Sequence, residues 1–573
     1  MVLLRRLPFF AALASAASVQ THSNCKNIPG DPGWPAAKEW QQLNTTVSGR
    51  LIATVPLASV CHTKGPFAAY DATACATLGT QLLANGPQTL EPVPGEIMNP
   101  YFQNVTCSAF TPANDTCTLG ARAVYSIDVR QASHVQAGLQ FARQKNIRIV
   151  VKSTGIDYMG KSTGLGSLSL WTWNLKTIDI LANYTSPSYK GPAIKLGPGV
   201  IAGEAYAVAA KAGLRFVGPE CGLTGIAGGY AQGGGHSQLS SAYGLAADQV
   251  LQWEVVTPNG EHLIATPEKN TDLYYALSGG GGGTYGVVLS MTAKAYPEGP
   301  VAGGLLVFPN SNGTAYWNAL ESLFARGPGL VQGTANNVQF AFTKDIFLGF
   351  SITVPGQNSS ALHALMAPFL HDLDRLGVAY QLQTFDSPSY AEHYVKSYGP
   401  LPYGNLCPTY VNLASRLVPR ATALDPRANA NLMSTFRNIV ADGNFTIGCS
   451  FVDVEHKAPH PNAVLPAWRA ALAYCNPQAM WAFNNTALSI ATKQTLVAHH
   501  LPALEAATPA SGSYLNEMDP WYQGDWKRAL YGPNYNKLLA IKRRVDAHRL
   551  MYAAFAVGSD EFAIDAEGRL CSA

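Results

Sequence analysis

Residues 218–250 read GPECGLTGIAGGYAQGGGHSQLSSAYGLAADQV, and this stretch decides the fold. Eight of its first eighteen residues are glycine, and no Asp, Glu, Lys or Arg occurs between Cys221 and Ala247. Glycine at this density is costly in conformational entropy, but it is useful where the backbone approaches a ligand closely or adopts a positive φ. The abundance of Gly, Ser and Gln excludes a membrane span. The stretch is either a surface loop or a ligand cradle, and its neighbours decide between the two.

A second glycine-rich segment, residues 155–162, reads GIDYMGKS and matches the phosphate-loop pattern GxxxxGK[ST]. It follows the predicted strand IRIVVKST, but TGLGSLSLWTWNL comes next, with helix breakers and then strand-like alternation. A phosphate loop requires a helix N-terminus at that place. We therefore do not expect a nucleoside triphosphatase, although the backbone N–H groups remain suited to a diphosphate.

A third segment, DLYYALSGGGGGTYGVV, places Gly281, Gly283 and Gly286 in the GxGxxG pattern of dinucleotide-binding folds. That pattern needs an acidic residue about twenty positions later to bind a ribose hydroxyl, and the sequence has none there. A Rossmann fold is therefore not expected.

The predicted secondary structure divides the chain into two kinds of region. AVYSIDVR, SHVQAGLQFARQKN and IRIVVKST are predicted to form a strand, a helix and a strand, which is a βαβ unit. The strands of VLQWEVVTPNGEHLIA flank a Pro-Asn-Gly turn. From about residue 301, strands such as NVQFAFTK and FLGFSITV alternate with helices such as SALHALMAPFLHDLDRL. This order predicts an antiparallel sheet with helices on one face.

The composition is that of a large globular protein. The chain has 573 residues and a formal net charge of +3, so two or three domains are expected and the lack of a basic cluster excludes a nucleic-acid partner. Arg5 and Arg6 precede a short apolar run and small residues, which predicts a signal peptide over residues 1–18 and no membrane anchor. The eight glycosylation sequons, typical of a secreted, N-glycosylated protein, start at Asn44, Asn104, Asn114, Asn183, Asn312, Asn358, Asn444 and Asn484.

The cysteines also indicate an oxidising compartment. None of them forms a CxxC pair, so a zinc site is not expected. Most should form disulfides: Cys107 is close enough in sequence to pair with Cys117, and Cys25 with Cys75 is a plausible second pair. Cys221 is predicted to stay out of disulfides, since a bond there would stiffen the cradle. The ten cysteines are Cys25, Cys61, Cys75, Cys107, Cys117, Cys221, Cys407, Cys449, Cys475 and Cys571.

Four motifs in this order resemble those of the berberine-bridge-enzyme-like oxidases, and particularly their secreted fungal branch. The motifs are VVKSTGIDYMGKSTG, GGYAQGGGHSQLSSAYGLAADQV, DLYYALSGGGGGTYGVV and YGPNYNKLLAIK. The resemblance implies an α+β fold: a two-part FAD-binding domain of the PCMH and vanillyl-alcohol-oxidase type, and an antiparallel-sheet substrate domain covered by helices. The implied boundaries are 19–299 for the FAD-binding domain (core about 121–299), 300–510 for the substrate domain, and 511–573 for a segment that returns to the FAD-binding domain.

The resemblance also implies which residues line the cofactor, carried over position by position from the matching motifs. They are Gly155, Ile156, Asp157, Tyr158, Gly160, Ser162, Thr163, Cys221, Gly225, Ile226, Gly228, Gly229, Gly235, His236, Gly286, Val287, Asn534 and Tyr535.

Two positions depart from the family pattern. Relatives carry two covalent flavin anchors, a histidine and a cysteine. Cys221 stands at the cysteine position, but Ile156 stands at the histidine position and has no nucleophilic nitrogen. The resemblance thus implies FAD with at most one covalent bond, through Cys221. Thr224 stands at the position that bears on oxygen access in relatives, so dioxygen as electron acceptor is an open expectation.

For catalysis the family needs a base above the flavin ring. SYLNEMD matches the segment that supplies it, with Tyr514 as the candidate base and Glu517 as a candidate acid. The resemblance implies a monomeric, secreted oxidoreductase that oxidises an alcohol or C–H centre of a small secondary metabolite. The alternatives are a flavin-independent isomerase or cyclase, in which Glu517 protonates the substrate, and a nonenzymatic binding protein.

Overall fold

The computed structural model describes residues 24–103, 106–404 and 410–573. The predicted signal peptide, the sequon at Asn104 and Cys407 lie outside the described residues.

The predicted βαβ unit is confirmed in a four-stranded sheet of order β1–β2–β4–β3. Strands β2 and β3 run parallel to β4, which lies between them. The connecting helix α3 has Val135, Leu139 and Ala142 on its buried face, as the 3.6-residue apolar spacing predicts. Its Gly138 allows the helix to lie close to the sheet, because a Cβ there would be 2.6 Å from a methyl carbon of Leu170. The strands are β1 Leu51–Ala53, β2 Tyr125–Asp128, β3 Ile149–Lys152 and β4 Leu168–Trp171.

A five-stranded antiparallel sheet follows, in the order β5–β6–β10–β8–β9. Its β8–β9 hairpin turns at the predicted Pro-Asn-Gly sequence. No helix follows residues 155–162 before the next strand, so the phosphate-loop match lacks the helix that its function requires. The strands, with the small β7–β11 pair, are β5 Ile178–Ser186, β6 Tyr189–Leu196, β7 Leu214–Arg215, β8 Val250–Val256, β9 His262–Ala265, β10 Val287–Lys294 and β11 Tyr296–Pro297.

The third sheet has eight strands and is antiparallel, in the order β15–β12–β14–β13–β18–β19–β16 with β17 also paired to β19. Helices α8 and α9 pack against its strands. The predicted antiparallel sheet with helices is confirmed. Its strands are β12 Val301–Pro309, β13 Asn337–Phe342, β14 Ile346–Pro355, β15 Gln381–Ser387, β16 Val411–Leu413, β17 Arg416–Pro419, β18 Thr446–Phe451 and β19 Ala471–Met480. A last hairpin joins β20 Phe562–Ile564 to β21 Leu570–Ser572.

Helices lie in all parts of the described chain, and several begin at capping side chains. Asn358 accepts a backbone N–H bond at the start of α9, and Asp425 does so at the start of α12, where proline is the first helical residue. The helices are α1 Ala37–Thr46, α2 Ala72–Leu90, α3 Ala132–Gln144, α4 Ala202–Lys211, α5 Ser240–Tyr243, α6 Ala246–Gln249, α7 Thr271–Leu277, α8 Gly313–Val331, α9 Ser359–Arg375, α10 Tyr390–Tyr398, α11 Arg420–Leu424, α12 Pro426–Val440, α13 Ala467–Ala470, α14 Thr486–Thr495, α15 Leu501–Ala507, α16 Trp526–Leu530 and α17 Tyr535–Val545.

The C-terminal segment returns to the first part of the chain. The buried ammonium of Lys542, in α17, donates to the carbonyl oxygen of Thr284 at 2.8 Å and lies 2.6 Å from Asp546. The backbone N–H of Lys26 donates to the carbonyl oxygen of Leu570 at 2.7 Å. The first bond attaches the C-terminal segment to the glycine-rich segment near residue 284, and the second attaches it to the first described residues.

The disulfides partly differ from the sequence prediction. Cys107–Cys117 is confirmed. The suggested pair Cys25–Cys75 is wrong, because the fold brings Cys25 to the last hairpin and Cys75 to the helical turn that holds Cys61. The disulfides between described cysteines are Cys25–Cys571, Cys61–Cys75, Cys107–Cys117 and Cys449–Cys475. They fit a protein of the secretory pathway.

Two further observations concern the described helices and the sequon asparagines. None of the described helices combines the length and the apolar character needed to cross a bilayer. Asn44 is half-buried, and the other described sequon asparagines are exposed: Asn114, Asn183, Asn312, Asn358, Asn444 and Asn484.

Candidate active site

A cavity of about 730 Å³ lies between the glycine-rich segments and the eight-stranded sheet. One wall is largely backbone, and the other is formed by side chains of β13, β14, β18 and β19. The structure brings together at this cavity most of the residues that the sequence singled out. They are Gly155, Ile156, Asp157, Tyr158, Ser162, Cys221, Gly225, Gly228, Gly229, His236, Gly286, Tyr514 and Glu517.

The other candidates do not line the cavity. Asn534 donates to the carbonyl oxygens of Ala463 and Val464 at 3.2 and 3.1 Å, and the Tyr535 hydroxyl donates to Asp560 at 2.8 Å. These bonds hold the C-terminal segment in place. The remaining candidates lie behind the lining: Gly160, Thr163, Ile226, Gly235 and Val287.

The glycine-rich segments pack where side chains would not fit. A Cβ on Gly228 would lie 2.7 Å from Ser153 Oγ, and one on Gly282 would lie 3.3 Å from the carbonyl oxygen of Gly228. Gly155 and Gly281 have φ of 82° and 102°, in the left-handed region that glycine accommodates. Three segments distant in sequence thereby meet with bare backbone at the cavity.

The segment 155–162 is held in shape by one carboxylate. Asp157 accepts from the backbone N–H of Lys161 at 2.6 Å and from the hydroxyl of Ser162. The Lys161 side chain lines the cavity, and its Nζ lies 3.8 Å from the Cβ position of Gly281. Among the described residues its ammonium has no hydrogen-bond or ion-pair partner. Desolvation lowers the pKa of Lys161 to about 8, against the opposing charge of Asp157.

Neither anchor position offers a free nucleophilic atom in this structure. Ile156 packs beside the apolar cluster that contains Leu78 and Cys107, and it offers no nucleophilic atom. The sulfur of Cys221 is already in a disulfide bond. The prediction that Cys221 stays out of disulfides is therefore wrong. A sulfur in a disulfide is not free to form a thioether, and the covalent bond between Cys221 and the flavin stays a prediction.

His236 lies between two carboxylates at the centre of the cavity. Its Nδ1 is 3.4 Å from Glu220 Oε1, and its Nε2 is 3.6 Å from Glu517 Oε1. The contact with Glu220 is an ion pair without hydrogen-bond geometry, because Nδ1 has no hydrogen-bond partner among the described residues. Burial alone would lower the pKa of His236, but the two carboxylates outweigh it and raise the pKa to about 10. The ring is therefore an imidazolium at neutral pH.

Each carboxylate is held by an amide from the eight-stranded sheet. Gln339 Nε2, on β13, donates to Glu220 Oε1 at 2.6 Å. Asn476 Nδ2, on β19, donates to Glu517 Oε2 at 3.2 Å and to the Tyr474 hydroxyl at 2.8 Å. The sheet thus fixes the orientation of both acids.

The aromatic residues around His236 fix the imidazole ring. Tyr474 stacks on it at 4.7 Å between ring centroids, and Tyr514 meets it edge to face at 5.2 Å. The Tyr514 hydroxyl accepts from Asn516 Nδ2 at 2.7 Å. Burial raises the pKa of Tyr514, and burial with the charge of Glu517 raises that of Tyr158. Both phenols therefore keep their protons at neutral pH.

Sequence reasoning missed several residues that the cavity brings together. Glu220 could have been predicted as a site residue, because it is an acid next to Cys221 in an otherwise uncharged stretch. Lys161 belongs to the phosphate-loop pattern, but the sequence analysis assigns it no role at the site. The amides Gln339, Asn476 and Gln478 sit in ordinary strands, where single polar residues carry no functional signal without the register of the sheet.

A cavity with glycine-rich segments on one side and a sheet with buried amides on the other is typical of an enzyme that binds a cofactor beside a small-molecule substrate. The comparisons with known proteins specify the class of enzyme. A family model described as "FAD binding domain" matches residues 125–266, and one described as "Berberine and berberine like" matches residues 513–554.

Three similar proteins cover almost the whole chain. The bifunctional decalin synthase calF of Penicillium decumbens is 48% identical over 96% of both chains. The VAO-type flavoprotein oxidase VAO615 of Thermothelomyces thermophilus is 44% identical over 99% of both. The crystal structure of the VAO-type flavoprotein MtVAO615 from Myceliophthora thermophila C1 superimposes with a TM-score of 0.92 and 43% identity, over 96% of this chain and 100% of that chain.

The chain belongs to the VAO-type, berberine-bridge-enzyme-like family of FAD-dependent oxidoreductases. The residues present fit the cofactor of that family. A Cβ on Gly229 or Gly283 would meet no atom within 4 Å, so the backbone there is open to a ligand. Beside these segments lies the ammonium of Lys161, which has no hydrogen-bond or ion-pair partner among the described residues and suits the anionic groups of FAD.

Proposed function

We propose that this protein oxidises a hydroxyl-bearing carbon of a small organic molecule, with Glu517 as the residue that takes up the hydroxyl proton. The observation that supports this proposal is the position of Glu517 in the cavity, 3.6 Å from an imidazolium and bonded to Asn476. A proton acceptor must lie within hydrogen-bond reach of the proton it removes, and geometry comes before pKa in choosing it. Glu517 meets that requirement for a substrate bound over β18 and β19.

His236 supports Glu517 electrostatically. Its Nε2 lies 3.6 Å from Glu517 Oε1 and its Nδ1 lies 3.4 Å from Glu220 Oε1, so the positive charge of His236 is shared between the two acids. Tyr514 stays a candidate catalytic residue. Its raised pKa favours a hydrogen-bond donor to the substrate oxygen over a base.

The cofactor is FAD, which supplies a two-electron acceptor when bound, and we propose that it is held without a covalent bond. Ile156 and the disulfide-bonded Cys221 favour this arrangement. The backbone of the segments around Gly155, Gly228 and Gly282 would hold it, with the Lys161 ammonium as a charged partner. Acid precipitation of purified protein tests the proposal: the yellow colour should stay in the supernatant. Colour that stays with the pellet would contradict it.

The oxidation is tested by anaerobic stopped-flow measurement of flavin reduction, with benzyl alcohol, cinnamyl alcohol and 1-octanol as probes. At least one alcohol should bleach the flavin absorbance. Glu517→Gln should slow that step by about 100-fold or more, since removal of a general base costs 10²–10⁴ in rate. The matched control is Glu392→Gln, an exposed acid on α10, which should react like the unmodified enzyme. Equal rates in the Glu517 variant, or no bleaching by any alcohol, would contradict the proposal.

Ring formation is a second candidate, because a 48% identical relative is named a bifunctional decalin synthase. A product isomeric with the substrate needs no electron acceptor, whereas an oxidised product does. The two candidates are separated by measuring the mass and the amount of product after a reaction without dioxygen in which the substrate exceeds the enzyme. A product with the mass of the substrate, formed in a larger molar amount than the flavin, supports ring formation.

We also propose that the mature chain is a secreted, N-glycosylated monomer. The exposed sequon asparagines and the disulfides support secretion and glycosylation. Enzymatic removal of N-glycans from the secreted protein should lower its mass, and light scattering should give one chain per particle.

A further inference from the structure

The wall of the cavity formed by the eight-stranded sheet changes from apolar to polar across its strands. The register places Leu348, Ala341, Gly448 and Asn476 side by side, on β14, β13, β18 and β19 in turn. Paired residues in antiparallel strands point to the same face. The row therefore begins with a large apolar side chain, passes two small residues, and ends at an amide.

The apolar side continues to the surface. Leu348 and Phe350 line the cavity, and Leu348 is 42% exposed. Val395, on α10, also lines the cavity and is 40% exposed. Side chains that both line a cavity and face solvent lie at its opening. The opening thus has an apolar lip beside Lys396, which is also exposed there and whose ammonium donates to the carbonyl oxygen of Asp386 at 2.7 Å.

The polar side lies around Glu517. Asn476 and Gln478 project from β19 on one face, since they are two residues apart. Their side-chain carbonyl oxygens are buried, and neither has a hydrogen-bond partner among the residues that the structure describes. Buried acceptors of this kind are costly unless a donor reaches them. A substrate hydroxyl is such a donor.

We propose that the substrate is an amphipathic alcohol. Its oxygen-bearing end lies against Glu517, Asn476 and Gln478, and its hydrocarbon part lies over Ala341, Leu348 and Phe350 and reaches solvent beside Val395. This inference rests on the proposed oxidation of a hydroxyl-bearing carbon. A polyhydroxylated substrate such as a sugar would place hydroxyls against Leu348 and Phe350, where they have no partner.

The test measures binding to the FAD-loaded full chain without turnover. Tertiary alcohols from 2-methyl-2-butanol to 2-methyl-2-nonanol have no hydrogen on the carbinol carbon and therefore cannot reduce the flavin. They are titrated under argon, and the dissociation constant is read from the change in the flavin absorbance spectrum. Each added methylene should tighten binding by about twofold to fourfold while the chain still contacts the lip. Glucose at the same concentrations should leave the spectrum unchanged.

The strand offers a matched pair of variants. Ile346 and Leu348 are both 42% exposed on the same face of β14, but only Leu348 lines the cavity. Leu348→Thr should reduce the gain per methylene to less than twofold, and Ile346→Thr should leave it unchanged; threonine suits a strand in both places.

The outcomes separate this inference from the proposed oxidation. Three results would overturn the inference even if primary alcohols reduce the flavin. They are an affinity that does not change with chain length, equal effects of the two variants, and glucose binding as tight as that of 2-methyl-2-heptanol. A chain-length dependence of the affinity that is lost only in Leu348→Thr supports the amphipathic site. If at the same time no alcohol reduces the flavin, the proposed oxidation is overturned.

Discussion

At the scale of single residues, Lys161 is the side chain that most directly indicates an anionic cofactor at this cavity. Its ammonium lines the cavity 3.8 Å from the Cβ position of Gly281 and has no partner among the described side chains. Hydrogen bonds to charged groups contribute about 1.5–3 kcal/mol, so Lys161→Met should weaken FAD binding by about 10- to 100-fold. A fluorescence titration of apoprotein with FAD measures this. Lys176→Met removes a lysine that pairs with Glu204 outside the cavity and should leave the affinity unchanged.

The pH dependence of FAD binding offers an independent check of the same residue. The pKa of Lys161 is about 8, and an anion that binds the ammonium favours its protonated form. FAD affinity should therefore fall as the pH rises above about 8 in the unmodified protein and stay flat in Lys161→Met. Parallel pH profiles for the two proteins would remove Lys161 from the cofactor site.

His236 makes a prediction about stability. Its pKa in the folded state is about 10, well above the ordinary value near 6.5. A raised folded-state pKa contributes stability that is fully present below pH 6.5 and is lost as the pH rises toward 10. The unfolding free energy of the native protein should therefore exceed that of His236→Gln most at pH 6. The difference should shrink by roughly 1 kcal/mol per pH unit between pH 7 and pH 9.

Urea unfolding at pH 6, 7.5 and 9 measures this difference, and the comparison between the two proteins cancels the titration of all other groups. A difference that does not vary with pH would mean that the imidazole stays neutral between Glu220 and Glu517.

At the scale of secondary-structure elements, the contact between β18 and β19 sets the position of Glu517. A Cβ on Gly448 would lie 2.6 Å from Asn476 Oδ1, and Asn476 Nδ2 holds Glu517 at 3.2 Å. Gly448→Ala should therefore displace the amide and slow flavin reduction by about 10- to 100-fold, as small misplacements at a reacting centre do.

Two variants make the Gly448 test specific. Asn476→Ala should slow the same step, because it removes the bond to Glu517 directly. Gly329→Ala places a methyl on α8 where no atom lies within 4 Å, and it should react at the native rate. Unimpaired reduction in Gly448→Ala would show that the amide does not position the acid.

The elements themselves were largely predictable from sequence, because each depends on local periodicity. The apolar spacing of Val135 and Leu139 marked a helix, and the alternation in NVQFAFTK marked β13. The polar wall of the site was not predictable in this way. Gln339 is 119 residues from Glu220 in sequence, and Asn476 is 41 residues from Glu517. Only the folded chain makes these residues neighbours, and no local pattern encodes that.

At the scale of the whole molecule, too, features with a local sequence pattern were predicted and features that depend on long-range contacts were not. The glycine-rich segments predicted the cofactor side of the cavity, because bare backbone at a ligand has a compositional signal. The disulfides carried no such signal beyond the short loop of Cys107–Cys117. Cys25 pairs across 546 residues with Cys571, and only the closed fold brings those two ends together.

That long-range disulfide gives the last prediction. In the chain-entropy account a disulfide stabilises by restricting the unfolded chain, and the effect grows with the loop it closes. The account gives about 6 kcal/mol for the Cys25–Cys571 loop and about 3 kcal/mol for the Cys107–Cys117 loop, whose separations are 546 and 10 residues. Replacing Cys25 and Cys571 by serine should therefore lower the urea midpoint more than replacing Cys107 and Cys117.

The comparison is informative because the chain ends also have noncovalent contacts. Arg569 pairs with Asp31 at 2.7 Å, and the backbone of Ser572 donates to Asn24 at 2.8 Å. If these contacts alone hold the ends, the Cys25 and Cys571 variant should unfold like the native protein, and the order of the two double variants should reverse. If instead the disulfide acts on the unfolded chain, the loss should persist in 1 M salt, where the exposed part of the ion pair is screened. The salt series thus separates stabilisation by the noncovalent contacts at the chain ends from stabilisation by restriction of the whole unfolded chain. The restricted chain includes α17 and the glycine-rich segment that Lys542 contacts.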